Sequence, residues 1–304
     1  RIRLIDFFKP ARYPIASAYG YIRVNFPVWN FLNRTSTSLF KKYPPNLDSL
    51  QKNIVDNILK NGIASTNLDE LFPKKNILSD LIDYVKNDTR IAKPHPRKPY
   101  LKHYWAEPTS ETPEFDFDNP FVKLMINSRV LDMVNSYMNS CSKLIYFDLA
   151  KTSQMNQEDI PIASQCWHRD PGFKKQIKVF IYLNDVEKDS GPFNYVLGSH
   201  LNGKLKNIFP QKQFGRHGYY PPQDLAEEKI FKDSISSLTG RAGTIIFCDT
   251  IGLHKGGFTT SGSRIMFSSM FVPSGDVIKP MFTLPENFQK KAESLDEVSF
   301  FSVT

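Results

Sequence analysis

Residues 166–173 read CWHRDPGF, and the role of His168-Arg169-Asp170 decides the fold. The triplet occurs in protein kinase catalytic loops. There the aspartate is followed five positions later by asparagine, then by DFG, with a Gly-rich loop upstream. Here that position is Lys175, and neither DFG nor GxGxxG occurs. The kinase reading fails. A strand reading succeeds better, because side chains at i and i+2 of a strand share one side. His168 and Asp170 can then reach one ion together while Arg169 points away.

Working outward, four short segments after residue 142 are rich in β-branched and aromatic residues and bounded by Gly, Pro, Asn or Asp. They are KLIYFDLA (143–150), IKVFIYLND (177–185), GTIIFCD (243–249) and SRIMFSSMFV (263–272). No helical pattern alternates with each of them, which disfavours a doubly wound parallel sheet. Before them, LDSLQKNIVDNILKNG has helical periodicity. It places Leu50, Ile54, Val55, Ile58 and Leu59 on one face and Gly62 at the stop. Segments 76–87 and 128–141 are further helices. The expected architecture is helices first, then a mostly β jelly roll.

Two ligands make a poor metal site. Of the six histidines, His254 follows directly on the strand GTIIFCD. Two histidines and one carboxylate suit non-haem Fe(II) with positions left open. A keto-acid co-substrate needs a buried cation for its far carboxylate, preferably a planar one. Arg264 lies ten residues after His254, at the start of the last strand.

The succession WHRD, IKVFIYLNDVEKDSGPFNYVLGSH, GTIIFCDTIGLHKGG and Ser263-Arg264 resembles the phytanoyl-CoA dioxygenase-like family of Fe(II)/2-oxoglutarate oxygenases. The resemblance spans residues 143–272 and implies a double-stranded β-helix (jelly-roll, cupin-like) core. It implies that His168, Asp170 and His254 bind Fe(II) and that Arg264 binds 2-oxoglutarate, with O2 as the second co-substrate. Family members often place a hydroxyl two residues after the distal histidine, where this chain has Gly256. Either another group supplies that contact or binding rests on Arg264. Asp170 argues against halogenation, in which the carboxylate gives way to halide. The implied reaction is hydroxylation of an unactivated C–H, with succinate and CO2 released. The alternatives are desaturation, epimerisation or ring closure, a protein- or nucleic-acid-modifying oxygenase, and a non-catalytic metal-binding jelly roll.

Around this core the candidates are less specific. Lys151, Gln165, Lys178 and Tyr182 are strand residues that could touch 2-oxoglutarate, and Trp167 lies near them. Cys166 shares the inward face with His168 by alternation. His200 is expected in a turn, and Asp249 as a brace of the distal strand or a surface turn residue. Residues 91–116 read as a long proline-broken loop. With the 201–240 insertion it is expected to line the substrate pocket through Lys98, Lys102, His103, Tyr104, Trp105, Arg216, His217, Tyr219 and Tyr220. That set favours a polar or anionic small molecule; the family name adds acyl thioesters.

Residues 1–45 form a basic aromatic arm. It carries Arg1, Arg3, Lys9, Arg12, Arg23, Arg34, Lys41 and Lys42 against Asp6 alone. Its candidate partners are an acidic partner, an anionic membrane surface or an anionic substrate, and the favoured reading is a surface-wrapping extension whose aromatics pack on the main domain. Residues 46–304 read as one oxygenase domain. No nucleic-acid motif is present, so nucleic acid is not an expected partner. No apolar run approaches the roughly 20 residues of a membrane-spanning helix. Cys141, Cys166 and Cys248 form no CxxC pair, which suits a reducing, cytoplasmic compartment.

Overall fold

The computed structural model of the chain describes residues 25–86, 103–104, 114–154, 160–161, 163–172, 174–210, 219–276 and 278–304, with Ala18 and Ile22. Helices α1 (Phe26–Leu32) and α2 (Arg34–Lys42) precede α3 (Ser49–Asn61). Helix α3 begins with a reciprocal cap. Asp48 accepts from the Gln51 backbone at 2.9 Å, and the Gln51 side chain returns to the Asp48 backbone at 3.1 Å. It ends at Gly62, whose φ of 84° is left-handed and whose absent Cβ would collide with Tyr195 Oη. The buried face is Gln51, Ile54, Val55 and Ile58. Leu59, expected on that face, is 46% exposed. The seam between α3 and its neighbours is one residue narrower than the periodicity suggested.

Strand β1 (Ile63–Asn67) leads into α4 (Leu68–Leu71) and α5 (Ile77–Lys86). After β2 (His103–Tyr104) come α6 (Pro120–Met125), α7 (Ser128–Met138) and the long β3 (Ser142–Ser153). Then follow β4 (Ile177–Tyr182), β5 (Phe193–Val196), α8 (Gln223–Lys229), β6 (Ile235–Leu238) and β7 (Thr244–Cys248). Strands β8 (His254–Gly256) and β9 (Ser263–Pro273) and helices α9 (Phe288–Ala292) and α10 (Glu297–Val303) complete the chain. No described helix is long and apolar enough to cross a membrane. Strand β4 stops earlier than its apolar run suggests. The Asn184 side chain takes over there, accepting from Ile265 N at 2.7 Å and donating to Ser263 O at 2.8 Å.

The strands form a six-stranded sheet, β1-β7-β4-β9-β3-β2, and a three-stranded sheet, β6-β5-β8. All pairings are antiparallel, as an antiparallel jelly roll requires. Strand alternation gives the large sheet two different faces. Ile177, Val179, Ile181, Phe247, Phe267 and Phe271 join the helices in one apolar cluster; Phe267 stacks on Phe121 of α6 at 4.6 Å. Phe180, Tyr182, Ile246, Cys248 and Met266 face the small sheet and pack on Phe193 and Tyr195. The site lies between the sheets on this second face.

The described part of the arm docks through polar contacts. Asn33 Oδ1 accepts from Gly275 N at 2.9 Å, Ser36 O from Cys141 N at 3.2 Å, and Lys42 meets Glu297 at 3.0 Å. Phe26 and Phe31 are 71% and 64% exposed, against the expectation that the arm's aromatics pack on the domain. Trp29 meets Lys174, which lies 5.2 Å over its ring. Phe7, Phe8, Tyr19 and Tyr21 lie outside the described residues.

Candidate metal centre

His168 and His254 form an isolated antiparallel bridge that extends the small sheet, with N–O distances of 2.9 Å in both directions. Asp170 N donates to Thr250 O at 2.9 Å. These backbone bonds bring the two ligand segments together although they lie far apart in sequence. The ligating atoms of His168, Asp170 and His254 all fall within 4.8 Å of one another. His168 Nε2 is 3.7 Å from Asp170 Oδ1, and His254 Nε2 is 3.8 Å from Oδ2.

The imidazoles are oriented by their own loops. His168 Nδ1 is 2.8 Å from Cys166 O, and His254 Nδ1 is 2.9 Å from Gly252 O. A carbonyl only accepts, so each Nδ1 carries the proton and each Nε2 presents its lone pair inward. Burial, together with His168 nearby, holds His254 well below the ordinary imidazole range although Asp170 opposes it. His254 is therefore neutral, the form that binds metal. Burial alone would raise the Asp170 carboxyl. The Lys178 ammonium beside it outweighs burial and holds the carboxyl well below the usual range. Lys178 Nζ lies 2.6 Å from Asp170 Oδ2.

Arg264 is 1% exposed. It donates through Nη1 to Gly191 O and hydrogen-bonds Tyr182, and its buried Nε has no partner. An unpartnered guanidinium nitrogen in a buried position calls for an anion. The cross-strand partner of Arg264 is Thr152, 3% exposed and on the same face by register.

Arg169 also points away from the ligands, as alternation requires, but inward to protein rather than to solvent. It donates to Ser199 O, Ile251 O, Ile208 O and Phe209 O at 2.6–2.8 Å. It thus ties the ligand segment to the loop that carries His254. Burial lowers its pKa to about 10, which still leaves it charged.

Other expected residues take different places. Lys151 pairs with Ile265, which packs on the helix-side core. It therefore lies on the face away from the triad, because alternation gives that position to the outside. Gln165 is in a 3-10 turn, not a strand. The same turn ends the alternation that placed Cys166 inward; its Sγ turns to Pro161 O at 3.2 Å. Trp167 leaves the site, with Nε1 donating to Glu227 at 2.8 Å. Tyr182 Oη donates to Leu238 O at 2.8 Å and accepts from Phe193 N at 3.1 Å. His200 is buried, 3.1 Å from Leu59 O, and outside the triad. Tyr220 stacks on His168 with centroids 5.1 Å apart, and Tyr219 pairs with Arg169 through its backbone. Of His103 and Tyr104 only the strand placement is described. His95, Lys98, Lys102, Trp105, Arg216 and His217 lie outside the described residues.

Asp249 is a buried brace at the end of the distal strand, not a surface turn residue. It is 1% exposed, accepts from Tyr137 Oη, and accepts from Ile251 N at 3.0 Å. Burial pushes its carboxyl up from 3.8 to about 6, against those two donors. The folded state therefore holds this proton more tightly than the unfolded chain. The stabilisation is complete below about pH 3.8 and is lost as pH rises through about 6, a loss of about 3 kcal/mol. Between pH 4 and pH 7, urea midpoints of the parent are expected to fall relative to those of Asp249→Asn. Parallel pH profiles for the two proteins are the outcome against it.

The model of the phytanoyl-CoA dioxygenase (PhyH) family matches residues 86–266, more than half of the chain and the whole span of the triad and Arg264. The chain belongs to the phytanoyl-CoA dioxygenase family. The family's metal and co-substrate are iron and 2-oxoglutarate, and the triad could hold the metal. No curated protein matches the chain. Among solved structures, the epimerase SnoN in complex with Fe3+, alpha ketoglutarate and nogalamycin RO is 13% identical. It has a TM-score of 0.54, over 77% of this chain and 87% of SnoN. HygX from Streptomyces hygroscopicus with nickel, 2-oxoglutarate and hygromycin B is 18% identical. Its TM-score is 0.47, over 75% of this chain and 88% of HygX. The likeness to SnoN shows the shared jelly-roll fold.

Proposed function

We propose that this family member binds Fe(II) through His168, Asp170 and His254. It holds the distal carboxylate of 2-oxoglutarate on Arg264 and hydroxylates an unactivated C–H of a polar small molecule. The arm and residues 46–304 then divide as binding extension and catalytic domain. The observation that carries this reading is the conjunction of two converging Nε2 atoms and one carboxylate with the unpartnered Nε of a buried arginine. The donor set fits Fe(II): two imidazole nitrogens and one carboxylate oxygen would hold the ion and leave room for a co-substrate.

Iron with 2-oxoglutarate and O2 supplies an oxidant able to take hydrogen from an unactivated carbon, with succinate and CO2 as by-products. The chain's own residues do the rest. Cys166 O and Gly252 O fix the imidazole tautomers. Arg264 supplies a cation at the far end of the co-substrate, and Thr152 supplies the hydroxyl that Gly256 cannot. A Cβ at Gly256 would lie 3.3 Å from Ser164 O and 3.6 Å from Arg264 Nη2, so this glycine lets the backbone approach the guanidinium closely. Phe180, Met266 and Phe193, all buried, keep water from the region between. Asp170 fills the position that a halide needs in halogenases.

Anaerobic titration with Fe(II) and 2-oxoglutarate tests the reading. A visible metal-to-ligand charge-transfer band is expected on 2-oxoglutarate addition, as is succinate release on admission of O2. No band at saturation leaves a non-catalytic binding domain as the reading. In Thr152→Val the same band is expected to need at least about tenfold more 2-oxoglutarate, because one hydrogen bond to a charged group is worth about 1.5–3 kcal/mol. An unchanged titration removes Thr152 from the co-substrate site.

A further inference from the structure

Lys178 stands on β4 in the inward row of the large sheet, with Cys248 of β7 on one side and Met270 of β9 on the other. Tyr146 of β3 is the next residue in that row. The lysine reaches Asp170 Oδ2 at 2.6 Å and hydrogen-bonds Tyr146. Gln176 Nε2 also approaches Oδ2, at 3.4 Å, while it donates to Thr250 Oγ1 at 2.6 Å. A candidate metal ligand thus has one of its two oxygens committed to a buried cation.

We infer that Lys178 is a positioning residue that keeps Asp170 a one-oxygen ligand. The inference rests on the iron and 2-oxoglutarate reading above. Its physical basis is a count of coordination positions. Two imidazole nitrogens and one carboxylate oxygen leave three octahedral positions, two for a chelating keto acid and one for O2. A carboxylate that used both oxygens would take a fourth position and compete with the chelate. An ammonium at hydrogen-bond distance from Oδ2 keeps that oxygen off the metal. Tyr146 and the packed row hold the ammonium there. The same positive charge repels a divalent cation and attracts a dianionic keto acid. Losing it therefore acts in opposite directions on the two ligands.

The test compares the parent with Lys178→Met and Lys178→Arg. Cobalt(II) affinity is measured by calorimetry. The cobalt(II) visible spectrum is recorded without 2-oxoglutarate, and the Fe(II)–2-oxoglutarate band is titrated anaerobically. In Lys178→Met, cobalt affinity is expected to hold or rise, and the cobalt spectrum to change before any 2-oxoglutarate is added. The band should need at least about tenfold more 2-oxoglutarate, the usual scale for residues that orient a metal ligand. Lys178→Arg should restore the parent's spectrum. A parallel loss of cobalt and 2-oxoglutarate binding makes Lys178 a structural support only and overturns the inference. So does an unchanged cobalt spectrum, which would put Lys178 in direct contact with the keto acid or outside the chemistry. If Lys178→Met does not fold, Lys178→Leu, also without charge or donor, takes its place, and the same readouts decide. A parent that binds no metal or gives no band defeats the cofactor reading itself, which separates the two failures.

Discussion

His254→Ala is expected to lose divalent-metal binding and all 2-oxoglutarate turnover while remaining folded. His254 is the ligand contributed by the small sheet, from β8, and its ring lies 4.1 Å from that of His168. Without it one nitrogen and one carboxylate remain. The loss should exceed the ten- to hundredfold cost of disturbing a residue that merely orients a ligand. Calorimetry with Fe(II) or Mn(II) reads the affinity, and succinate release reads turnover. His200→Ala is the paired control. His200 is equally buried but serves Leu59 O, so its loss should lower the unfolding free energy by about 1–3 kcal/mol and leave metal affinity in place. Retained metal binding in His254→Ala would mean that the three residues are not the site.

Arg264→Met is expected to separate stability from co-substrate binding. The arginine is a fully buried cation, held by Gly191 O and Tyr182 with Nε unsatisfied. Exchanging a buried charge for an apolar side chain of similar length is often neutral or stabilising. The ligand-free unfolding free energy should therefore stay within about 1 kcal/mol of the parent's. Losing one partner of a buried charge pair costs about 2–5 kcal/mol, so the 2-oxoglutarate requirement should rise at least about thirtyfold. Metal affinity measured without 2-oxoglutarate should not change. If Arg264→Met loses metal and 2-oxoglutarate together, Arg264 supports the fold of the site rather than the ligand.

Much of the site was legible before any coordinates. The triad rested on an HxD pair and a strand-end histidine, and the family match spans both. Gly62 announced the end of α3, and the four apolar runs announced β3, β4, β7 and β9. The failures have particular causes. Cys166, Trp167 and Gln165 were read as strand residues, but a 3-10 turn at 163–165 breaks the alternation before the ligand pair. Lys151 is expected near 2-oxoglutarate from strand membership alone, which says nothing about which face a residue takes. For Asp249 the sequence leaves a brace and a surface turn residue open, because nothing local reveals that Tyr137 will stand against it.

The sequence by itself determined the ligand types, the strand positions and the chemistry they imply. These depend on residue identity and on two-residue periodicity, both of which are local. Only the tertiary structure decided which residues serve the ligands. Thr152 stands beside Arg264 and Lys178 beside Asp170 because antiparallel register pairs β3 with β9 and β9 with β4. Arg169 gathers carbonyls from two separate loops. Register is a property of two strands together, set by which faces bury apolar side chains, and no single stretch of chain contains it.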